Sequence, residues 1–255
     1  MNPETEHSRS YFLSAGESNA EGLMPLTLMV ERLIEISTEH ANSLGIGYAE
    51  LIKKNIGWVL SRVSLEMHRY PRINETYVLT TWIESYNRFF SERNIAVTAP
   101  GGEVLGYART VWVAMDFEKR ALANLTQLDR RCFPVAVLPC PIDRTPTLAP
   151  AGEGATAVPY TFKYCDLDFN RHVNTVRYLE LLIDQWPLDW HDTHSVARLD
   201  MAFLHEAVYP QAVTVTTAPD PADPLRFTQQ ITGPDGPCMR AAFTWRPDVY
   251  VPVKN

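Results

Sequence analysis

The chain predicts an α+β fold built twice, and three observations lead there. In each half a helical periodicity precedes several strand-like segments; a Pro- and Gly-rich stretch with neither period separates the halves; and the same landmarks recur in the same order on both sides.

The first half opens with a short strand near Tyr11. Leu26, Met29, Val30, Leu33, Ile34 and Ile36 then recur at three- and four-residue intervals, which predicts a helix over 26–44 ending at Gly45. Strand-like segments follow at 57–70, 76–86, 92–98 and 104–116, with Pro100-Gly101-Gly102 as the turn between the last two. The second half repeats the order. A strand at 160–164 leads into a polar cluster, and then Val176, Leu179, Leu182, Ile183 and Trp186 mark a helix that stops at Pro187. Strands are expected at 196–205, 212–217, 225–232 and 238–245. Pro234-Asp235-Gly236 stands where Pro100-Gly101-Gly102 stood, Tyr209-Pro210 echoes Tyr70-Pro71, and Trp245 echoes Trp112.

Between the halves, Pro139-Cys140-Pro141, Thr145-Pro146 and Pro150-Ala151-Gly152-Glu153-Gly154 carry no periodicity and read as a linker. The expected organisation is an N-terminal repeat at 1–138, a linker at 139–158 and a C-terminal repeat at 159–255. A long helix wrapped by an antiparallel sheet is the arrangement called a hotdog fold. Two tandem copies in one chain would pair edge to edge. Trp58, Leu60, Trp82, Trp112 and Val113 read as core, along a helix–sheet layer that would also accommodate an alkyl chain.

Composition excludes several classes of function. A content of 45% hydrophobic and 21% charged residues is that of a folded domain rather than a disordered one. The net charge of −7 argues against a nucleic-acid partner. No run approaches the ~20 apolar residues of a membrane span, and Met1-Asn2-Pro3-Glu4-Thr5-Glu6-His7 lacks a secretory signal's basic and apolar regions. A cytoplasmic protein without membrane insertion is therefore expected. Cys132, Cys140, Cys165 and Cys238 form neither a C-x-x-C pair nor a zinc spacing, so no metal and no disulfide framework is indicated. An acidic partner would need a local basic patch, for which Lys53, Lys54, Arg62, Arg69, Arg72, Lys163, Arg171 and Arg177 are candidates, although a solvated mixed-charge surface also accounts for them.

The strongest chemical signal is Asp166-Leu167-Asp168-Phe169-Asn170-Arg171-His172-Val173-Asn174, immediately before the second helix. Helix capping explains one or two of these polar residues. It does not explain the alternation of Asp168, Asn170 and His172, which in extended or irregular backbone would point three polar side chains the same way. Free backbone N–H groups and the helix dipole at such a terminus favour an oxygen gaining negative charge.

This segment, continued by Arg177-Tyr178-Leu179-Glu180, resembles the acyl-ACP thioesterases of plant plastids and bacteria, whose motif has the form D-L-D-x-N-x-H-V-N-N-x-x-Y. Thr175 replaces the second Asn of the N-N pair. The resemblance extends through His40-Ala41, Trp58-Val59-Leu60-Ser61-Arg62, Tyr70-Pro71, Thr81-Trp82 and Ala108-Arg109-Thr110-Val111-Trp112-Val113, in family order. It implies that Asp168, Asn170 and His172 are functional together with Glu206, placed in the following strand region. A Cys often follows that Glu in plant members; Ala207 stands here, which rules out a thiol nucleophile at that position.

Thioester hydrolysis with no cofactor is then expected, either by a water activated at a base or by direct attack of a carboxylate, with water favoured. Glu206 would polarise the water, His172 would bond the water or the departing thiolate, Asp168 would fix the water or the imidazole tautomer, and Asn170 would orient the carbonyl. The N–H groups of Val173 and Asn174 would form the oxyanion hole. The expected partner is acyl carrier protein bearing a fatty acyl chain, with a homodimer left open. Rival readings are an acyl-CoA thioesterase, a carrier-linked acyl dehydratase and a non-catalytic binder. Cys165 reads as a small buried hydrophobe, His191 and His194 as part of a surface loop, and His205 as pointing away from the site.

Overall fold

The computed structural model describes residues 5–152 and 154–249. Met1-Asn2-Pro3-Glu4 of the expected leader-free start, Glu153 of the expected linker, and the last six residues of the expected C-terminal repeat lie outside them. Strand β1 (Glu6–Phe12) precedes helix α1 (Leu26–Ser43) and the short α2 (Tyr48–Leu51). The strands β2 (Ile56–Met67), β3 (Thr76–Tyr86), β4 (Phe90–Thr98), β5 (Val104–Asp116) and β6 (Ala121–Leu122) follow. The second half holds β7 (Thr156–Thr161), α3 (Thr175–Ile183), α4 (Leu188–His191), β8 (His194–Phe203), β9 (Ala212–Pro219), β10 (Arg226–Gly233) and β11 (Gly236–Pro247).

These strands make one sheet in the order β1-β3-β4-β5-β2-β8-β11-β10-β9-β7, with β6 added beside β5. The seam between the halves is the antiparallel pair β2–β8, with Arg62 opposite Ala202 and Glu66 opposite Arg198. The tandem hotdog expected from the pattern is thus joined edge to edge, and α1 and α3 lie together on the inner face. Met29, Val30, Leu33 and Ile36 of α1 and Leu179 and Leu182 of α3 are at most 1% exposed, burying about 1.5–3 kcal/mol per large apolar side chain. Gly45 adopts φ +71 just past α1, the left-handed stop expected of it. Among the described residues no helix is long and apolar enough to cross a membrane.

Several expectations need correction. The strand expected over 57–70 ends at Met67, because the N–H groups of His68 and Arg69 both turn to the Leu105 carbonyl. The strand expected over 160–164 is Thr156–Thr161, its first three residues inside the stretch read as linker, because Tyr164–Asp166 is a tight 3-10 turn. The second helix stops at Ile183, short of Trp186. Trp82 does not line the helix–sheet layer: it faces the opposite side of the sheet, buried with Cys140 and Ile142, and its indole N–H donates to the Leu138 carbonyl. Leu60 is buried, while Trp58, Trp112 and Val113 are half-buried.

The long connection between β6 and β7 is strapped to that outer face. Arg109 donates to the carbonyls of Ile142 (2.8 Å) and Cys140 (2.9 Å), and Arg240 of β11 donates to Leu148 (3.2 Å). One polar pair is buried inside the first half. Arg93 of β4 donates to His40 Nδ1 of α1 at 2.6 Å. Burial and the adjacent guanidinium push the imidazole down to about 3, and burial alone pulls Arg93 down to about 10.

Candidate active site

The polar cluster is a tight loop wound around one carboxylate. Asp168 Oδ1 accepts the N–H groups of Asn170 (2.8 Å) and His172 (3.0 Å), while the Asp168 N–H and carbonyl bond the His172 carbonyl and the Arg171 N–H. Arg171 takes φ +66 at the apex. Ahead of it, Asp166 is buried and accepts from Tyr160 Oη (3.0 Å) and the Lys163 N–H (2.6 Å). Behind it, Asn174 caps α3 by accepting from the Val176 N–H at 2.9 Å.

The segment after β8 folds back over this loop. Val173 donates to the Ala207 carbonyl at 2.9 Å and a single bridge pairs His172 with Val208. Tyr178, one helical turn into α3, is buried and its hydroxyl accepts the Ala207 N–H at 3.1 Å; burial raises its pKa. These bonds hold Glu206 against the imidazole: Glu206 Oε2 lies 3.5 Å from His172 Nε2. The two side chains are 48% and 37% exposed, so water reaches the pair directly. Asn170, exposed and without a side-chain partner among the described residues, lines a cavity of about 270 Å³ with Leu167, Arg171, His172, Val208 and Tyr209.

The four residues singled out from sequence therefore meet in one place, but three details differ. The N–H groups of Val173 and Asn174 cannot form the oxyanion hole, since they already donate to the carbonyls of Ala207 and Asp166 (2.8 Å). Asp168 does not hold the imidazole tautomer; its carboxylate is bound to the loop's own backbone. Glu206 sits in the loop beyond the end of β8 rather than in a strand. Cys165 is exposed on the 3-10 turn instead of buried. His191 ends α4 and His194 opens β8, where it stacks on Trp190 at 4.0 Å, so neither lies in a surface loop. His205 bonds the Pro237 carbonyl, away from the cavity.

Two contributors were not singled out. Tyr178 was legible as the closing Tyr of the motif. Tyr48 was not: it is far away in sequence, yet its ring meets Phe169 edge-on at 5.6 Å and brings the first half to the site.

Comparison with known proteins points the same way. The family model for the acyl-ACP thioesterase N-terminal domain matches residues 4–128, and that for the C-terminal domain matches 151–247. The chain is 26% identical over 221 residues to oleoyl-acyl carrier protein thioesterase 2, chloroplastic, of Arabidopsis thaliana, covering 80% of this chain and 60% of that one. It is 25% identical over 216 residues to palmitoyl-acyl carrier protein thioesterase, chloroplastic, of Gossypium hirsutum, covering 78% and 51%. The chain thus spans about half to three-fifths of the length of these curated relatives. Among solved structures, an acyl-ACP thioesterase from Bacteroides thetaiotaomicron superposes with a TM-score of 0.86 at 26% identity, over 94% of this chain and 98% of that one. The 12:0-ACP thioesterase from Umbellularia californica gives 0.80 at 21% identity, over 95% and 98%, a likeness of fold.

Proposed function

Because this chain belongs to the acyl-ACP thioesterase family, as the family models matching both its halves establish, we propose that it hydrolyses the thioester joining a fatty acyl group to acyl carrier protein. The products are the free fatty acid and the carrier thiol. The observation that carries the reading is the His172–Glu206 pair at 3.5 Å, open to solvent beside a cavity that Asn170 also lines.

In this scheme a water beside the pair gives its proton to the Glu206 carboxylate as its oxygen attacks the thioester carbon. Asn170 donates its side-chain amide to the carbonyl oxygen as charge builds there, taking the part that the occupied N–H groups of Val173 and Asn174 cannot. The C–S bond then breaks, and the proton that Glu206 took from the water passes through the neighbouring His172 to the departing thiolate, which returns both side chains to their starting state. Asp168 keeps Asn170 and His172 in register by binding their backbone. The absence of a Cys after Glu206 favours water over a protein thiol as nucleophile.

The test is thiol release and product identity with a graded series of acyl chains on acyl carrier protein and on coenzyme A. Free fatty acid with stoichiometric thiol supports the proposal. A thioester left intact with altered unsaturation would replace it with a dehydratase, and tight carrier binding without thiol release would replace it with a binding protein.

A further inference from the structure

The cavity beside His172 carries a cation that the hydrolytic scheme leaves unused. Arg171 lines it with Leu167, Asn170, His172, Val208 and Tyr209, and none of the six is a carboxylate. The Arg171 guanidinium has no protein partner among the described residues, whereas Arg69, Arg177 and Arg198 are each held by acidic side chains. Its backbone is left-handed at φ +66, a conformation that disfavours any residue with a Cβ. The bond from Arg171 N–H to the Asp168 carbonyl (3.1 Å) and the flanking bonds to Asp168 Oδ1 keep it there. The backbone at the apex is thus held in a conformation that glycine would satisfy, yet the position carries a long cationic side chain.

We propose that this cavity receives the pantetheine arm of the thioester and that Arg171 binds the arm's amide carbonyls; the assignment rests on the hydrolase reading of the same site. The sulfur must lie at the His172–Glu206 pair for that chemistry. From there the arm runs through two carbons to one amide, two more to a second, and on past a hydroxyl-bearing carbon to a branched apolar one. It is uncharged, and its strongest acceptors are two amide carbonyls separated by hydrocarbon. The cavity offers the complement: a guanidinium with free donors between the apolar surfaces of Leu167, Val208 and Tyr209. Arg171 and His172 are chain neighbours, with Cα atoms about 3.8 Å apart, and both line this one cavity; the amides lie between the sulfur and the phosphate, which is more than a dozen bonds away, so they are the nearer acceptors.

The experiment compares wild type with Arg171→Ala and Arg171→Asn, the latter because Asn tolerates the left-handed backbone. One acyl group is presented on acyl carrier protein, coenzyme A, N-acetylcysteamine with its single amide, and ethanethiol with none. Both variants are expected to lose about tenfold or more in kcat/KM on the first two, mostly through KM. The loss should be smaller on the third and less than twofold on the last. An equal loss on all four would mean a distorted loop, a loss on the carrier protein alone would mean contact with the protein surface, and no loss would mean no contact; each overturns the assignment. Should wild type release no thiol from any of the four, the hydrolase reading falls, and titration with pantetheine decides the arm separately. Weaker binding to Arg171→Ala upholds the subsite, and equal binding removes it.

Discussion

Asp168 and Glu206 are both carboxylates, yet their surroundings divide the work. Glu206 projects an oxygen at an imidazole and at solvent, whereas Asp168 Oδ1 is occupied by two backbone N–H groups. Glu206→Gln keeps the size and removes the base that we propose, so kcat should fall by about 10²- to 10⁴-fold with the thermal midpoint unchanged. Asp168→Asn still offers an oxygen to the loop, while Asp168→Ala does not. The alanine variant should therefore lose about tenfold more activity than the asparagine variant; equal losses would return Asp168 to the chemistry itself. Much of this was legible at the level of residue identity, since alternation singled out Asp168, Asn170 and His172. What was not legible is where hydrogen bonds go. The donors of Val173 and Asn174 look free at a helix start and are taken by Ala207 and Asp166, partners that only the folded chain supplies.

At the scale of elements, the site depends on one contact between α3 and the loop after β8. The Tyr178 hydroxyl accepts the buried Ala207 N–H, so Tyr178→Phe leaves that donor unpaired. It should cost about 1–3 kcal/mol of stability and slow turnover, because the same loop holds Glu206; denaturant titration with steady-state kinetics checks both. The α1–β4 contact carries a pH dependence. His40 is kept neutral in the fold, with its pKa lowered from 6.5 to about 3, so the unfolded chain binds the extra proton between those values. Stability should fall as pH drops through that window, by up to ~1.4 kcal/mol per pH unit from this group. His40→Asn retains an acceptor for Arg93 and should flatten the slope in acid-unfolding curves. Helix α1 and strands β3 and β5 were readable because their periods are long and uninterrupted. Strand ends near Met67 and Phe203 were not, because there the backbone leaves the ladder for single carbonyls of Leu105 and Cys238.

On the scale of the whole molecule, duplication was visible as repeated order, and it explains why one sheet spans both halves. Its consequence for the site was less visible. Tyr48 of the first half meets Phe169 of the second, so the candidate-site loop touches the other side of the seam. Ser64 of β2 is fully buried and bonds both Asp200 of β8 and Thr145 of the connecting strap (2.7 Å). Ser64→Ala should lower stability by about 1–3 kcal/mol by stripping a buried carboxylate of a donor, with thermal unfolding remaining one transition because the sheet is continuous. We propose that Glu206 and His172 act together on a water at an acyl thioester, and thiol release from acyl carrier protein thioesters by wild type, Glu206→Gln, His172→Ala and the double variant measures that cooperation. Each single change should remove most of the turnover, and the double variant should be hardly worse than either. Full activity in Glu206→Gln, or losses that simply multiply, would contradict it.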